Sequence, residues 1–123
     1  MRTVQITSWG SVDTLRVDEV PSPRAGAGQV RVRVAAAGLN PVDWKIIEIL
    51  RDAPGTYGAA LALPAGNGND FAGVVDEVGE GVTSVAVGDE VFGGKRFFAQ
   101  AEYVVTDAEA VVPVPSGLSL DQA

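Results

Sequence analysis

The sequence predicts a mainly β domain, a barrel or sandwich of short strands with one short helix. Most of the chain consists of short apolar or alternating segments, and turns rich in Gly and Pro separate them. A single segment repeats its apolar residues at helical spacing. The chain has 123 residues, of which 46% are hydrophobic, so it corresponds to one domain with a real core.

Seven segments have the pattern of β-strands. Residues 29–34 alternate strictly and place three valines on one face and two arginines on the other. Residues 71–78 are more continuously apolar, which predicts burial on both faces. Residues 88–93 are interpreted as a glycine–acid turn. The predicted strands are 4–6, 15–18, 29–34, 71–78, 82–87, 102–105 and 110–114.

One helix is predicted to follow Asn40. Asn40 is a favoured N-cap, Pro41 suits the first helical position, and Asp43 places an acid in the first turn, where the helix dipole favours it. Pro54-Gly55 ends the helix, and an irregular loop follows over residues 56–68. The apolar positions at helical spacing are Val42, Ile46, Ile49 and Leu50.

Composition excludes several classes of function. The chain has neither Cys nor His, which removes disulfides, thiolate nucleophiles, imidazole bases and the usual zinc ligands. Its net charge of −7 argues against a nucleic-acid partner. Neither a membrane span nor a secretory signal is visible in the sequence, so a cytoplasmic location is the default expectation.

No glycine motif in the chain predicts a complete dinucleotide site. Such a site needs G-x-G-x-x-G between a strand and a helix. The triplets that begin at Gly26, Gly66 and Gly79 have Arg31, Phe71 and Ser84 at the sixth position. All three are better interpreted as turns, so this chain alone is expected to bind NAD(P)H weakly and to be inactive.

The order of apolar segments and glycine turns over residues 69–93 resembles that of the N-terminal, GroES-like domain of medium-chain dehydrogenases/reductases. The stretch Asn69-Asp70-Phe71-Ala72-Gly73 opens it, and Gly79, Gly81 and Gly88-Asp89 follow. Zinc-dependent members have His-Glu where this chain has Asn69-Asp70, and Cys where it has Asn40. The resemblance therefore implies a GroES-like, partly open β-barrel of the zinc-free, quinone oxidoreductase-like branch, with no metal.

A second motif, residues 38–45, is similar to the Gly-x-Asn-Pro-x-Asp motif of quinone oxidoreductases and related enone and enoyl reductases. The resemblance implies that Asn40 lies at the nicotinamide end of the cofactor cleft and positions the nicotinamide or the substrate carbonyl through its amide. The alternative is that Asn40 only caps the helix. Trp44 is either a packed aromatic or a wall of that cleft.

Side-chain chemistry adds two candidate residues, Lys45 and Tyr57, and the family resemblance adds Asn69 and Asp70. Lys45 is either a solvated lysine or a group that polarises a carbonyl oxygen and stabilises an enolate. Tyr57 is a proton donor in a substrate pocket, or a loop aromatic. Asn69 and Asp70 stand at the former metal position, where Asp70 is expected to fix the loop around the cleft by hydrogen bonding.

The end of the chain has a capping box, with Ser119 as cap and Gln122 at the third helical position. A helix is expected to begin there, so residues 1–123 are expected to be a substrate-side domain truncated at the start of a nucleotide-binding domain. The implied function is reduction of a quinone or an α,β-unsaturated carbonyl by hydride transfer from NADP(H) or NAD(H). The alternatives are a non-catalytic interaction or ligand-binding module, or one half of a split reductase. The expected partners are a small-molecule substrate, the nucleotide-binding domain in the same or a second chain, and, as an open question, further copies of this chain.

Overall fold

The computed structural model describes residues 1–53 and 61–123, which form two antiparallel sheets and one α-helix. The three-stranded sheet has the order β2 (Leu15–Glu19), β1 (Arg2–Ile6), β4 (Ala65–Gly66). The five-stranded sheet has the order β7 (Tyr103–Asp107), β3 (Gln29–Ala37), β5 (Asp70–Val78), β6 (Glu90–Gly94), β8 (Val111–Pro113). An isolated bridge between Thr3 and Ala101 links them. This mainly β fold, without a closed barrel in the described residues, confirms the predicted class. The helix is α1 (Pro41–Asp52), and 3-10 turns lie at Val12–Thr14 and Ala108–Ala110.

Strand β3 lies inside the larger sheet, between the edge strand β7 and the middle strand β5, and its predicted alternation is confirmed. Val30 and Val32 are fully buried in the core. Arg31 lies on the other face, where its guanidinium donates two hydrogen bonds to the Asp76 carboxylate at 2.8 and 3.0 Å. This ion pair raises the pKa of Arg31, chiefly through the hydrogen bond to Asp76. The valines of β3 face the core and its arginines face outward. A shift of one residue in the strand pairing would therefore expose the valines and bury the arginines.

Strand β5 departs from its prediction in its second half. Phe71 and Ala72 are buried, so the first half is covered on both faces as expected. Asp76 and Glu77 are only half-buried, because the arginines of the neighbouring strand and loop pair with them at the surface. Burial on both faces therefore applies only to the part of β5 nearest the helix.

Residues 82–87 do not form the predicted strand. They fold into turns, in which the Asp89 carboxylate accepts the N–H of Ala86 at 2.8 Å and Gly88 donates to the carbonyl of Val75 at 2.8 Å. Gly88 has φ +98°, a conformation that a side chain would disfavour. Val85 inserts into the core as a turn residue, so apolar character here reflects burial rather than strand pairing.

Two strands were not predicted. Residues 90–94, part of the segment interpreted as a turn, form β6 between β5 and β8. Gly93 sits in this strand because a side chain there would collide with the carbonyl of Ala110. The short β4 pairs Ala65 with Ile6 of β1. Glycine in both segments hid the strand pattern.

Helix α1 begins at Pro41, as predicted, and ends at Asp52 with Ala53 as C-cap. Its buried stripe is shifted from the predicted one. Ile47 is fully buried, whereas Ile49 is 37% exposed and Val42 is 43% exposed. The stripe of Asp43, Ile46, Ile47 and Leu50 packs against a cluster that includes Ile6 and Phe97. The predicted stop at Pro54-Gly55 lies outside the described residues.

Beyond β8, the chain ends in a turn. Gln122 accepts the backbone N–H of Ser119 through its side chain at 3.2 Å, which is one arm of the predicted capping box. The N–H groups of Gln122 and Ala123 both donate to the Ser119 carbonyl at 3.0 Å. Within the described part of the chain, no helix is long and apolar enough to cross a membrane.

Candidate functional site

Asp43 is the centre of a polar network at the start of α1. Its side chain is only 1% exposed. Oδ2 accepts the backbone N–H of Asn40 at 2.8 Å, and Oδ1 accepts the side-chain amide of Asn69 at 2.6 Å. A carboxyl group buried to this degree is tolerated when its oxygens are hydrogen-bonded. These bonds therefore tie the first turn of the helix to the chain just before β5.

Asn40 is the N-cap residue, as predicted, but its side chain is used differently from a simple cap. The backbone N–H of Asp43 donates to the main-chain carbonyl of Asn40 at 2.9 Å. The Asn40 side chain lies over the same N–H in the arrangement of a capping box, without making the hydrogen bond itself. Its amide nitrogen donates instead to Oδ1 of Asp70 at 2.9 Å. Since a carboxylate only accepts, this bond fixes which end of the amide faces Asp70.

Asp70 lies directly over the turn that precedes the helix. The N–H of Gly38 donates to its main-chain carbonyl at 3.1 Å. A side chain at Gly38 would collide with the Asp70 carboxylate, so glycine is required for this close approach. The result is a crossed arrangement, in which an amide on each segment donates to a carboxylate on the other. We call Asn40, Asp43, Asn69 and Asp70 the amide–carboxylate network.

Trp44 and Lys45 lie outside this network. Trp44 is 42% exposed, and Lys45 is exposed beside it. The Lys45 ammonium lies 5.3 Å from the centroid of the Trp44 ring, a cation–π contact. Tyr57 lies outside the described residues. The roles assigned to these three residues stay predictions, as do those of Asn40, Asn69 and Asp70.

Two cavities flank the network. The first, which we call the helix cavity, has a volume of about 400 Å³ and lies between α1 and the turn after β6; Asn69 and Val42 are among its lining residues. The second, of about 320 Å³, is lined by Gly38, Asp70 and Phe92 together with the last four residues of the chain. A groove of about 500 Å³ between the two sheets contains none of the four network residues. The network therefore has space for small molecules on both sides.

Two further polar residues, Asn67 and Gln100, lie near the network and were not predicted from the sequence. The Gln100 side chain donates to the carbonyl of Gly38 at 3.4 Å and accepts from the amide of Asn67 at 3.2 Å. Asn67 is 3% exposed, and its Oδ1 has no hydrogen-bond partner among the described residues. The glycines beside Asn67 were the available signal. A side chain at Gly66 would collide with the Phe97 carbonyl, and one at Gly68 would come within 2.6 Å of Gln100.

The structure shows no metal-binding group in the described ranges. No set of three or more Asp, Glu, His or Cys side chains is grouped there so that it would hold a metal ion. The two carboxylates of the network are instead satisfied by amide and main-chain N–H donors. The predicted absence of zinc stays a prediction.

Fold and site together define a class of protein. The two-sheeted β fold with one helix in the described residues matches the N-terminal GroES-like domain of medium-chain dehydrogenases/reductases. Residues 26–116 match the alcohol dehydrogenase GroES-like domain. The chain therefore belongs to this family of GroES-like domains, as the sequence motifs implied.

Several proteins similar to this chain are named as reductases or oxidoreductases. The chain is 35% identical, over all of its length and 33% of the relative, to 2-methylene-furan-3-one reductase of Solanum lycopersicum. It is 32% identical to quinone oxidoreductase of Rattus norvegicus, with 99% of this chain and 36% of the relative covered. Among solved structures, Escherichia coli quinone oxidoreductase in complex with NADPH superposes with a TM-score of 0.86 at 25% identity, covering 100% of this chain and 36% of that chain. The chain thus spans about a third of the length of these proteins.

Proposed function

We propose that this chain is the substrate-side domain of a zinc-free, NAD(P)H-dependent reductase that acts on a quinone or an α,β-unsaturated carbonyl. The remaining part of the enzyme, a nucleotide-binding domain, would hold most of the cofactor. The amide–carboxylate network carries the proposal. Three of its residues, Asn40, Asn69 and Asp70, stand at the positions that the family resemblance assigns to metal ligands in zinc-dependent members, and Asp43 joins them.

The residues around Asn40 fit the nicotinamide end of such a cofactor. A held amide presents fixed hydrogen-bonding atoms, and Asp70 holds the Asn40 amide by one of its two N–H groups. The second N–H would meet a carbonyl oxygen of the nicotinamide or of the substrate. The neighbouring cavity at Gly38 and Asp70 would give a flat ring room beside this amide. When bound, the nicotinamide supplies the hydride.

The substrate would lie on the helix side of the network. Hydride addition to an activated carbonyl or alkene leaves negative charge on oxygen, and a fixed N–H donor lowers the energy of that charge. Lys45 would add a mobile positive charge near the first turn, and Tyr57 would supply the proton that completes the reduction. Trp44, beside Lys45, would form part of the cleft wall.

The test replaces Asn40 in the intact enzyme. The structure predicts that Asn40→Ser keeps the helix start, because the Asp43 carboxylate and the main chain supply the cap. If Asn40 positions nicotinamide or substrate, turnover should fall by about tenfold to a hundredfold at an unchanged melting temperature, since one oriented hydrogen bond contributes ~1–3 kcal/mol. If Asn40 is only a cap residue, both turnover and melting should match wild type.

A second variant and a control complete the test. Asn40→Asp should lose more turnover than Asn40→Ser and should also melt earlier, because it places a carboxylate against that of Asp70. Glu48→Gln, an exposed change on the same helix, should leave both properties unchanged. The assay is NADPH or NADH oxidation with a quinone and with an enone. A wild-type enzyme inactive on both would refute the proposed reaction.

A further inference from the structure

The helix cavity has walls of two kinds. Val42 and Ile46 of α1 form an apolar wall, and the turn of residues 94–97 forms the opposite one. Asn69 lies between them and also donates to Asp43, so the cavity opens directly beside the amide–carboxylate network. A group bound here would therefore lie close to Asn69 of the network.

The turn of residues 94–97 brings two cations to this cavity. Lys95 and Arg96 both line it. Lys95 is half-buried, yet it has no ion pair in the described part of the chain. The chain has 16 acidic and 9 basic residues, so carboxylates are plentiful. An ammonium kept beside an apolar wall without a carboxylate partner is suited to an anion that arrives from outside.

The backbone of this turn is held in an uncommon conformation. Phe97 has φ +67°, which is rare for a bulky residue, and its side chain is 8% exposed in the core against the helix. The N–H of Lys95 donates to the carbonyl of Asn69 at 2.8 Å, and the N–H of Phe98 donates to the carbonyl of Lys95 at 3.1 Å. Strained conformations persist where the surroundings determine them, and they concentrate at ligand-binding segments. These hydrogen bonds hold the main chain of Lys95 beside the helix cavity, and the residue lines both this cavity and the adjoining groove between the two sheets.

We propose that the helix cavity binds a carboxylate on the substrate, so that the preferred substrate is an acidic quinone or enone. This inference rests on the proposed function for the reaction and adds the charge of the molecule that is reduced. The carboxylate pairs with Lys95, the apolar stem lies against Val42 and Ile46, and the unsaturated carbonyl extends to Asn40. Neutral analogues lose the ion pair but keep the apolar contacts.

The experiment compares two probes of nearly the same shape, trans-benzoylacrylate and its neutral amide, by calorimetry on the intact protein. Wild type should bind the carboxylate about tenfold to a hundredfold more tightly, as expected for one charge-assisted hydrogen bond in a partly buried site. Lys95→Met should abolish this preference without changing the affinity for the amide. Arg16→Gln, which removes an exposed charge on β2, should leave it intact. A wild-type protein without preference, or an equal loss for both probes in Lys95→Met, would overturn the proposal.

Two further measurements locate the anion. Val42→Trp should fill the helix cavity and weaken binding of the carboxylate probe, and unchanged binding in this variant would place the site elsewhere. If Lys95→Met instead changes the affinity for NADPH but not for NADH, Lys95 serves a cofactor phosphate and the proposal fails. Binding is measured without turnover, so an inactive protein that still prefers the carboxylate refutes the proposed reaction alone.

Discussion

Replacement of Asp43 tests the physical account of the site most directly. The carboxylate is 1% exposed and accepts two hydrogen bonds, at 2.8 Å from the Asn40 main chain and at 2.6 Å from the Asn69 amide. Asp43→Ala removes both acceptors. Each part-buried donor left without its partner costs up to about 1–3 kcal/mol, and part of this is recovered because a buried carboxylate no longer has to be desolvated. We expect a net loss of about 2–4 kcal/mol.

The assay is reversible unfolding in denaturant, with thermal unfolding as a second readout. For a domain of this size, a loss of 1 kcal/mol lowers the melting temperature by roughly 4 °C, so Asp43→Ala should melt about 8–16 °C below wild type. Asp43→Asn keeps the shape but offers one acceptor for two donors, so it should lose less. Glu48→Ala, an exposed acid on the same helix, is the control and should stay within about 0.5 kcal/mol of wild type.

A double variant separates the hydrogen bond from other effects. In Asp43→Asn combined with Asn69→Asp, the carboxylate moves to the other segment and the hydrogen bond between the two positions is reversed. The coupling free energy between the two changes should exceed about 1 kcal/mol in the restoring direction. An Asp43→Ala protein within 1 kcal/mol of wild type, or additive effects in the double variant, would refute the reasoning.

Three other outcomes are expected. Protein purified without added metal should contain far less than one zinc per chain by elemental analysis, because the chain has no Cys or His; stoichiometric zinc would contradict this. Gly38→Ala should displace the Asp70 carboxylate and lower turnover in the intact enzyme, and wild-type kinetics would show that Asp70 need not lie there. The main-chain N–H and guanidinium of Arg2 lower the pKa of the exposed Glu102, so its small contribution to stability is present above the unfolded pKa and is lost as the pH falls through the folded pKa. Denaturation of Glu102→Gln at several pH values should therefore differ from wild type at neutral pH and converge with it in acid; a constant difference would contradict the assignment.

The sequence predicted those elements whose pattern is decided locally. The alternation of β3 and the start of α1 at Pro41 depend on side-chain type and spacing, and both are confirmed. Strand β6 was missed because Gly93 and Gly94 interrupt its pattern, although Gly93 is there to let Ala110 approach. Residues 82–87 were predicted as a strand because their valines are apolar, whereas Val85 is buried from within a turn.

In the candidate site, too, the residues that belong to a sequence motif were predicted, and those that depend on tertiary contacts were not. The resemblance pointed to Asn40, Asn69 and Asp70, and the structure brings all three together. It did not predict that Asp43 would be the most buried of the set, because an acid in the first turn of a helix is usually exposed, and its hydrogen bond from Asn69 depends on the tertiary fold. Gln100 was missed because a lone glutamine between two strands has no sequence pattern.

The crossed arrangement of the network has a consequence for how this domain holds its site. Asn40 on the helix side donates to Asp70, and Asn69 on the strand side donates to Asp43. The main-chain bond from Gly38 to Asp70 already joins the two segments, and these two side-chain bonds of opposite direction add to the hold on the helix start beside β5. A metal ion achieves the same result with ligands from several segments, but its charge would also polarise a substrate oxygen. Here the two carboxylates carry negative charge and the amides carry none. In the proposed reaction, a developing oxyanion would therefore be stabilised by N–H donors and by cations outside the network, for which the second N–H of Asn40 and the lysine side chains are the candidates.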